Sequence, residues 1–198
     1  MAESDVDMSR RRFLTATTAV VGGAGVAAAA VPFVASMNPS VKAKAAGAPV
    51  EVNVGSLEPG QMVTVDWRGK PIWIVKRTER QLELLQEHAS ALADPDSEVS
   101  SQQPSYAQNP TRSIRPEVAV LVGVCTHLGC SPSYRPDVDS DEFGKTWHGG
   151  FFCPCHGSRF DLAGRVYKGV PAPTNLAVPP YRYASDNEIV VGEDGGTA

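Results

Sequence analysis

The sequence predicts a small all-β domain with one short helix, carried behind a single apolar N-terminal helix. Three observations lead there. Short runs of β-branched and aromatic residues recur from residue 50 onward. The 198 residues include 18 glycines and 16 prolines but few aromatics, which favours many turns and short strands. From Phe13 to Met37 no side chain is charged.

That uncharged stretch is rich in Ala, Val and Gly, and it is long enough to cross a hydrocarbon core of ~30 Å as a helix. Ser9-Arg10-Arg11-Arg12-Phe13-Leu14 before it forms a twin-arginine export signal with Arg10 and Arg11 as the pair. Arginines stay on the cytoplasmic side, so residues 1–12 form a cytoplasmic segment, 13–37 a transmembrane anchor, and the rest lies beyond the membrane. A cleaved signal peptide is the competing reading, but no clear A-x-A site ends the stretch. Residues 38–49 read as a hinge or linker of Ala, Gly, Lys and Pro, able to form a helix or a flexible tether.

Residues 50–198 make the exported domain. Residues 50–54 alternate as a strand, and 62–67 and 71–76 form a pair joined by a turn at Arg68-Gly69. Residues 118–124, Phe151-Phe152, 175–183 and 188–191 complete the strands. A helix starts at Thr78, where Thr78 and Gln81 make a capping box and Leu82 and Leu85 share a face. Residues 94–116, rich in Pro, Ser, Gln and Asp, read as a long surface excursion, and 192–198 as a frayed tail. The formal net charge of −4 arises wholly beyond residue 37, and no basic stripe is present, so nucleic acid is not an expected partner.

Four cysteines, Cys125, Cys130, Cys153 and Cys155, cluster in two segments. The first is Cys125-Thr126-His127-Leu128-Gly129-Cys130 and the second Cys153-Pro154-Cys155-His156-Gly157-Ser158. Each follows an apolar β run, and Gly129 and Gly157 let each loop fold tightly around a bound object. Three chemistries compete. A tetrahedral zinc site takes four ligands and leaves two of the six groups unexplained. A disulfide-only module leaves both histidines idle. A mixed iron–sulfur centre, with thiolates on one iron, imidazoles on the other and a spare cysteine pair, uses all six.

The two boxes resemble those of the Rieske iron–sulfur subunits of quinol–cytochrome c oxidoreductase, the cytochrome bc1 complex. The resemblance implies a base sheet with an inserted cluster-binding subdomain, about residues 121–174, holding one [2Fe–2S] cluster. It implies that Cys125 and Cys153 bind one iron, that His127 and His156 bind the other, and that Cys130 and Cys155 form a disulfide joining the loops. Ser158 matches the serine that donates a hydrogen bond to the cluster, Leu128 the residue that shields it, and Gly169-Val170-Pro171-Ala172-Pro173 the loop covering a third side. Pro171 and Leu128 are then docking positions, and His156, assisted by His127, the group that receives a quinol proton. Where many relatives carry Tyr, this sequence has Phe160, which implies a lower potential than in a Tyr-bearing relative.

The function so implied is transfer of one electron, with a coupled proton, from ubiquinol to cytochrome c1. The implied partners are cytochrome b, cytochrome c1 and the membrane, in a dimeric complex. The implied location is the cell inner membrane, single-pass, with the C-terminal domain periplasmic. An alternative of the same chemistry is the Rieske small subunit of an exported oxidase such as arsenite oxidase. Bland roles are expected for His88, a solvated residue near a helix end, and His148, a hairpin-turn residue. Trp67 and Trp73 are expected to pack in the core.

Overall fold

The computed structural model describes residues 7–138, 142–143 and 147–194. Two units are separable, one ending at Ala45 and the other beginning at Ala46.

In the first unit, helix α1 runs over Met8–Ser36. The Asp7 side chain caps it, accepting from the backbone N–H groups of Ser9 (3.0 Å) and Arg10 (3.2 Å), so the helix begins before the twin arginines and includes them. Two of its hydroxyls are satisfied internally: Thr15 donates to the Arg11 carbonyl and Ser36 to the Phe33 carbonyl. That arrangement suits a segment surrounded by hydrocarbon. The length and apolar composition of the helix suffice to cross a membrane. Within the expected linker, Val41–Ala46 forms a short helix, α2. Ser40 starts it by accepting from the N–H of Ala43 at 3.1 Å.

In the second unit, the strands form three antiparallel three-stranded sheets among the described residues. The first joins β1 (Val50–Asn53) to β9 (Glu188–Val191) and β8 (Tyr181–Ser185) in the order β1-β9-β8. The second joins β2 (Met62–Trp67), β3 (Lys70–Lys76) and β4 (Val118–Val122), and the third β5 (Ser133–Val138), β6 (His148–Phe152) and β7 (Arg159–Asp161). The β2–β3 hairpin turns at Arg68-Gly69, where both residues have positive φ (52° and 69°), the twist that matches paired strands. Every residue of β4 is buried, as its unbroken apolar run requires of a strand covered on both faces. Trp73 of β3 stacks on Phe151 of β6 at 4.8 Å, locking the second sheet to the third. Both Trp67 and Trp73 are buried, as expected.

Helix α3 (Glu79–Glu87) carries the anticipated capping box: Thr78 Oγ1 accepts from the Gln81 N–H and Gln81 Oε1 from the Thr78 N–H. Its buried residues are Gln81, Leu84 and Leu85, with Leu82 half-buried at the rim, so the buried face is centred slightly beyond the Leu82–Leu85 line.

Three expectations are corrected. Residues 94–116 are not a surface excursion, because Ser97, Gln103, Ala107, Arg112 and Ser113 are buried. The segment is polar because it is held by hydrogen bonds rather than apolar contact. Arg77 donates to the carbonyls of Thr111 and Pro116, both at 2.8 Å. Arg112 donates to the Ala163 carbonyl (3.1 Å) and to Gln103 Oε1 (3.0 Å). The Tyr106 hydroxyl donates to the Tyr181 carbonyl and accepts from its N–H.

Second, only the end of the run 175–183 enters a ladder. Leu176 donates to Gly164, Val178 to Gln102, and Ala177 accepts from Val122. Pro179 and Pro180 lack the N–H groups that a ladder needs. Third, the start of the tail is tied down: Gly192 donates to the Pro180 carbonyl and Glu193 pairs with Arg182 at 2.7 Å. Residues 195–198 of that expectation lie outside the described residues.

Candidate metal centre

Strand β4 leads through Gly123-Val124 into loop 1, residues 125–130, and β6 leads directly into loop 2, residues 153–158. The two loops repeat one backbone motif. In loop 1, Cys125 donates to the Cys130 carbonyl (2.7 Å) and Gly129 to the Cys125 carbonyl (3.0 Å). In loop 2, Cys153 donates to the Ser158 carbonyl (2.8 Å) and Gly157 to the Cys153 carbonyl (2.9 Å). The fifth residue of each is a glycine with positive φ, 83° at Gly129 and 78° at Gly157, a left-handed turn that other residues enter at a cost. The sequence pattern thus builds the same tight knuckle twice.

Cys130 and Cys155 are joined as a disulfide, which ties the loops together. Cys125 and Cys153 remain free thiols, each 2% exposed. Burial pushes the Cys125 thiol up, the neighbouring Cys153 adds to this, and the His127 N–H and Ser158 hydroxyl oppose it. Two thiols buried side by side ionise when a cation is bound between them, because a coordinated thiol gives up its proton. The rings of His127 and His156 meet edge to face, with centroids 4.8 Å apart. His127 is half-buried and His156 exposed. The Sγ atoms of Cys130, Cys153 and Cys155 also lie within 4.8 Å of one another, but two of them are spent in the disulfide.

The third wall is the stretch 169–174. The Ala172 N–H donates to Ser158 Oγ at 3.0 Å, leaving the Ser158 hydroxyl proton free to point inward. Thr126 Oγ1 donates to the Thr174 carbonyl at 2.7 Å. Each knuckle is therefore clipped to the proline-containing loop by its own hydroxyl. Leu128, 72% exposed, is an apolar group of loop 1 open to solvent, and exposed Pro171 lines a cavity with His156.

Residues 48–181 match the Rieske [2Fe-2S] domain family, and residues 1–40 match the Ubiquitinol-cytochrome C reductase Fe-S subunit TAT signal. The chain belongs to the Rieske [2Fe–2S] family. A ubiquinol-cytochrome c reductase iron-sulfur subunit from Allochromatium vinosum is 57% identical over 198 residues, covering all of this chain and 95% of that one. The subunit of the same name from Blastochloris viridis is 44% identical, covering 97% of this chain and 98% of that one. A chain from a structure of a hyperthermophilic respiratory Complex III aligns at a TM-score of 0.47 and 26% identity, over 88% of this chain and 98% of that one.

As a Rieske protein the chain carries one [2Fe–2S] cluster, and the donor set fits it: two adjacent free thiols, two adjoining imidazoles and a disulfide that keeps the loops closed. Zinc and disulfide-only chemistry are set aside on the same grounds. The oxidase alternative is not favoured, since these relatives are reductase subunits.

Two histidines differ from expectation. His88 is buried, not solvated. It caps α3, with Nδ1 2.6 Å from the Leu84 carbonyl and Nε2 3.4 Å from Asp161 Oδ2. His148 is the first residue of β6 rather than a turn residue, and its ring stacks on His88 at 5.0 Å. The Gly149-Gly150 pair suggested a turn, but Gly150 serves close approach, since a Cβ there would collide with the Phe160 carbonyl. Sequence reasoning passed over Thr126, although its place between Cys125 and His127 was the available signal. It also passed over the Asp161–Arg165 ion pair (2.7 Å) behind loop 2, which no local pattern announces.

Proposed function

We propose that this chain is the redox subunit of a dimeric ubiquinol–cytochrome c reductase, taking one electron and a proton from ubiquinol and delivering the electron to cytochrome c1. In this reading Cys125 and Cys153 hold one iron of the cluster and His127 and His156 the other. When bound, the cluster supplies a one-electron acceptor whose mixed ligation places its potential between about −150 and +300 mV. The observation that carries the proposal is the exposed His156 ring set edge to face against half-buried His127, in two loops that each bury a free thiol.

His156 accepts a hydrogen bond from the quinol hydroxyl at its outward ring nitrogen and takes the proton, and His127 supports its orientation. Leu128 and Pro171 supply apolar contact with cytochrome b and exclude water from the docked site. The Ser158 hydroxyl, fixed through the Ala172 N–H, is oriented to donate to the cluster. Helix α1 holds the domain at the inner membrane with the twin arginines cytoplasmic and the Rieske domain periplasmic.

Low-temperature EPR of the dithionite-reduced protein tests the assignment. Wild type is expected to show the lowered average g of mixed histidine and cysteine ligation. Cys125→Ser, Cys153→Ser, His127→Ala and His156→Ala are each expected to abolish that signal. A variant that retains it removes its residue from the ligand set.

A further inference from the structure

We propose that Arg159 is an electrostatic tuning residue of the cluster, held in place by Tyr167, whose positive charge favours the reduced centre and raises its midpoint potential. The inference rests on the ligand assignment proposed above. Arg159 opens β7 immediately after Ser158, whose carbonyl closes loop 2 onto the Cys153 N–H. Across the ladder it faces Phe152, the residue before Cys153. Its half-buried side chain lines a cavity of ≈ 450 Å³ together with His156, Gly157, Phe152 and Pro171.

The side chain is restrained on its far side. Its guanidinium carbon lies 5.7 Å over the Tyr167 ring, a cation–π contact. Tyr167 is itself buried, with the near-parallel rings of His88 (5.7 Å) and Trp147 (6.0 Å) beside it. Tyr167 also donates its N–H to the Arg159 carbonyl at 3.1 Å. Among the described residues Arg159 makes no ion pair within 4.0 Å. Among the described residues lining the same cavity, Glu142 is the acid that opposes its field. Arg165, the nearest cation in sequence, is paired with Asp161 at 2.7 Å, and Lys168 is exposed and turned to the Ser90 carbonyl.

Reduction adds one negative charge to the centre, and a fixed cation beside a ligand histidine stabilises that state. Arg159 is half-buried, so its attraction is screened less than that of a fully exposed cation.

The test is an EPR-monitored redox titration of the full holoprotein. Arg159→Gln is expected to shift the reduced-to-oxidised equilibrium toward oxidised by up to about tenfold, equivalent to ~59 mV for a one-electron couple, with the g values unchanged. Arg159→Lys is expected to retain most of the wild-type potential. If Arg159→Gln does not assemble, Arg159→Met, whose apolar stem still covers Tyr167, is read instead and should shift alike. A wild-type potential in the charge-free variant, or an equal fall in Arg159→Lys, overturns the proposal. Loss of the mixed-ligand signal from wild type itself would defeat the ligand assignment instead, so the two failures are distinct.

Discussion

Loop 1 and loop 2 share a backbone but differ in outlook. Both close with the same pair of hydrogen bonds and the same left-handed glycine, and both bury a free cysteine in first position. Loop 1 then puts a half-buried histidine in third place and its disulfide cysteine last. Loop 2 puts its disulfide cysteine third and an exposed histidine fourth. A shift of one position within the same knuckle thus makes His156 the outward ring and leaves His127 behind it. The difference teaches that a repeated backbone can hold a symmetric pair of thiols while its side-chain order decides which end meets a partner.

The disulfide makes one site of the two knuckles, so breaking it is the largest perturbation of the comparison. Replacing Cys130 and Cys155 with Ser is expected to cost ~2–5 kcal/mol of domain stability, read by thermal unfolding. Alkylation followed by mass spectrometry should leave both cysteines unlabelled until reduction. Full stability in the double variant would mean that the Thr126 and Ser158 links to the proline-containing loop hold the knuckles unaided.

The supports behind the loops also differ. Loop 2 runs into β7, whose last residue, Asp161, is fully buried against Arg165 and His88. Burial alone would raise the Asp161 carboxyl, but Arg165 and His88 outweigh it and hold it at about 2 against an ordinary 3.8. A depressed carboxyl contributes stability that is present above pH 3.8 and lost as pH falls toward 2, roughly 2 kcal/mol in all. Denaturant midpoints measured across that window should fall with acid, and Asp161→Asn should flatten the dependence. At the alkaline edge the sign reverses. Burial pushes the Tyr106 hydroxyl up to about 12 from 10.0, so its contribution is present below pH 10 and lost as pH rises toward 12.

The smallest effect tests the symmetry itself. No atom lies within 4 Å of a Cβ built at Gly129 or Gly157, so only the positive φ penalises alanine at either position. Gly129→Ala and Gly157→Ala should each cost about 1–2 kcal/mol, equally within error by thermal unfolding. A clear inequality would show that the loops are held differently once a cluster is bound.

Local rules made much of this molecule legible. The apolar stretch after the twin arginines, the Thr78–Gln81 capping box, the Arg68-Gly69 hairpin and the apolar run read as a strand over 118–124 each depend on neighbours within a few residues, and each appears, the last ending at Val122. The six potential ligands and Ser158 were legible for the same reason, because a knuckle is a local object. Strands β5 and β7 were not anticipated: Ser133–Val138 contains a proline and a bulge, and Arg159–Asp161 is too short to show a period.

Only the tertiary structure decided the remainder. Whether 94–116 floats or packs depends on guanidinium donors from Arg77 and Arg112 and a hydroxyl from Tyr106, which find acceptors far along the chain. Whether 175–180 joins a ladder depends on which distant carbonyls and N–H groups lie beside it. His88 looked solvated in sequence, yet the turn after α3 carries it against Asp161, 73 positions away. Long-range polar pairing leaves no periodic trace in a sequence, because its partners are set by the path of the whole chain rather than by the pitch of a helix or the alternation of a strand.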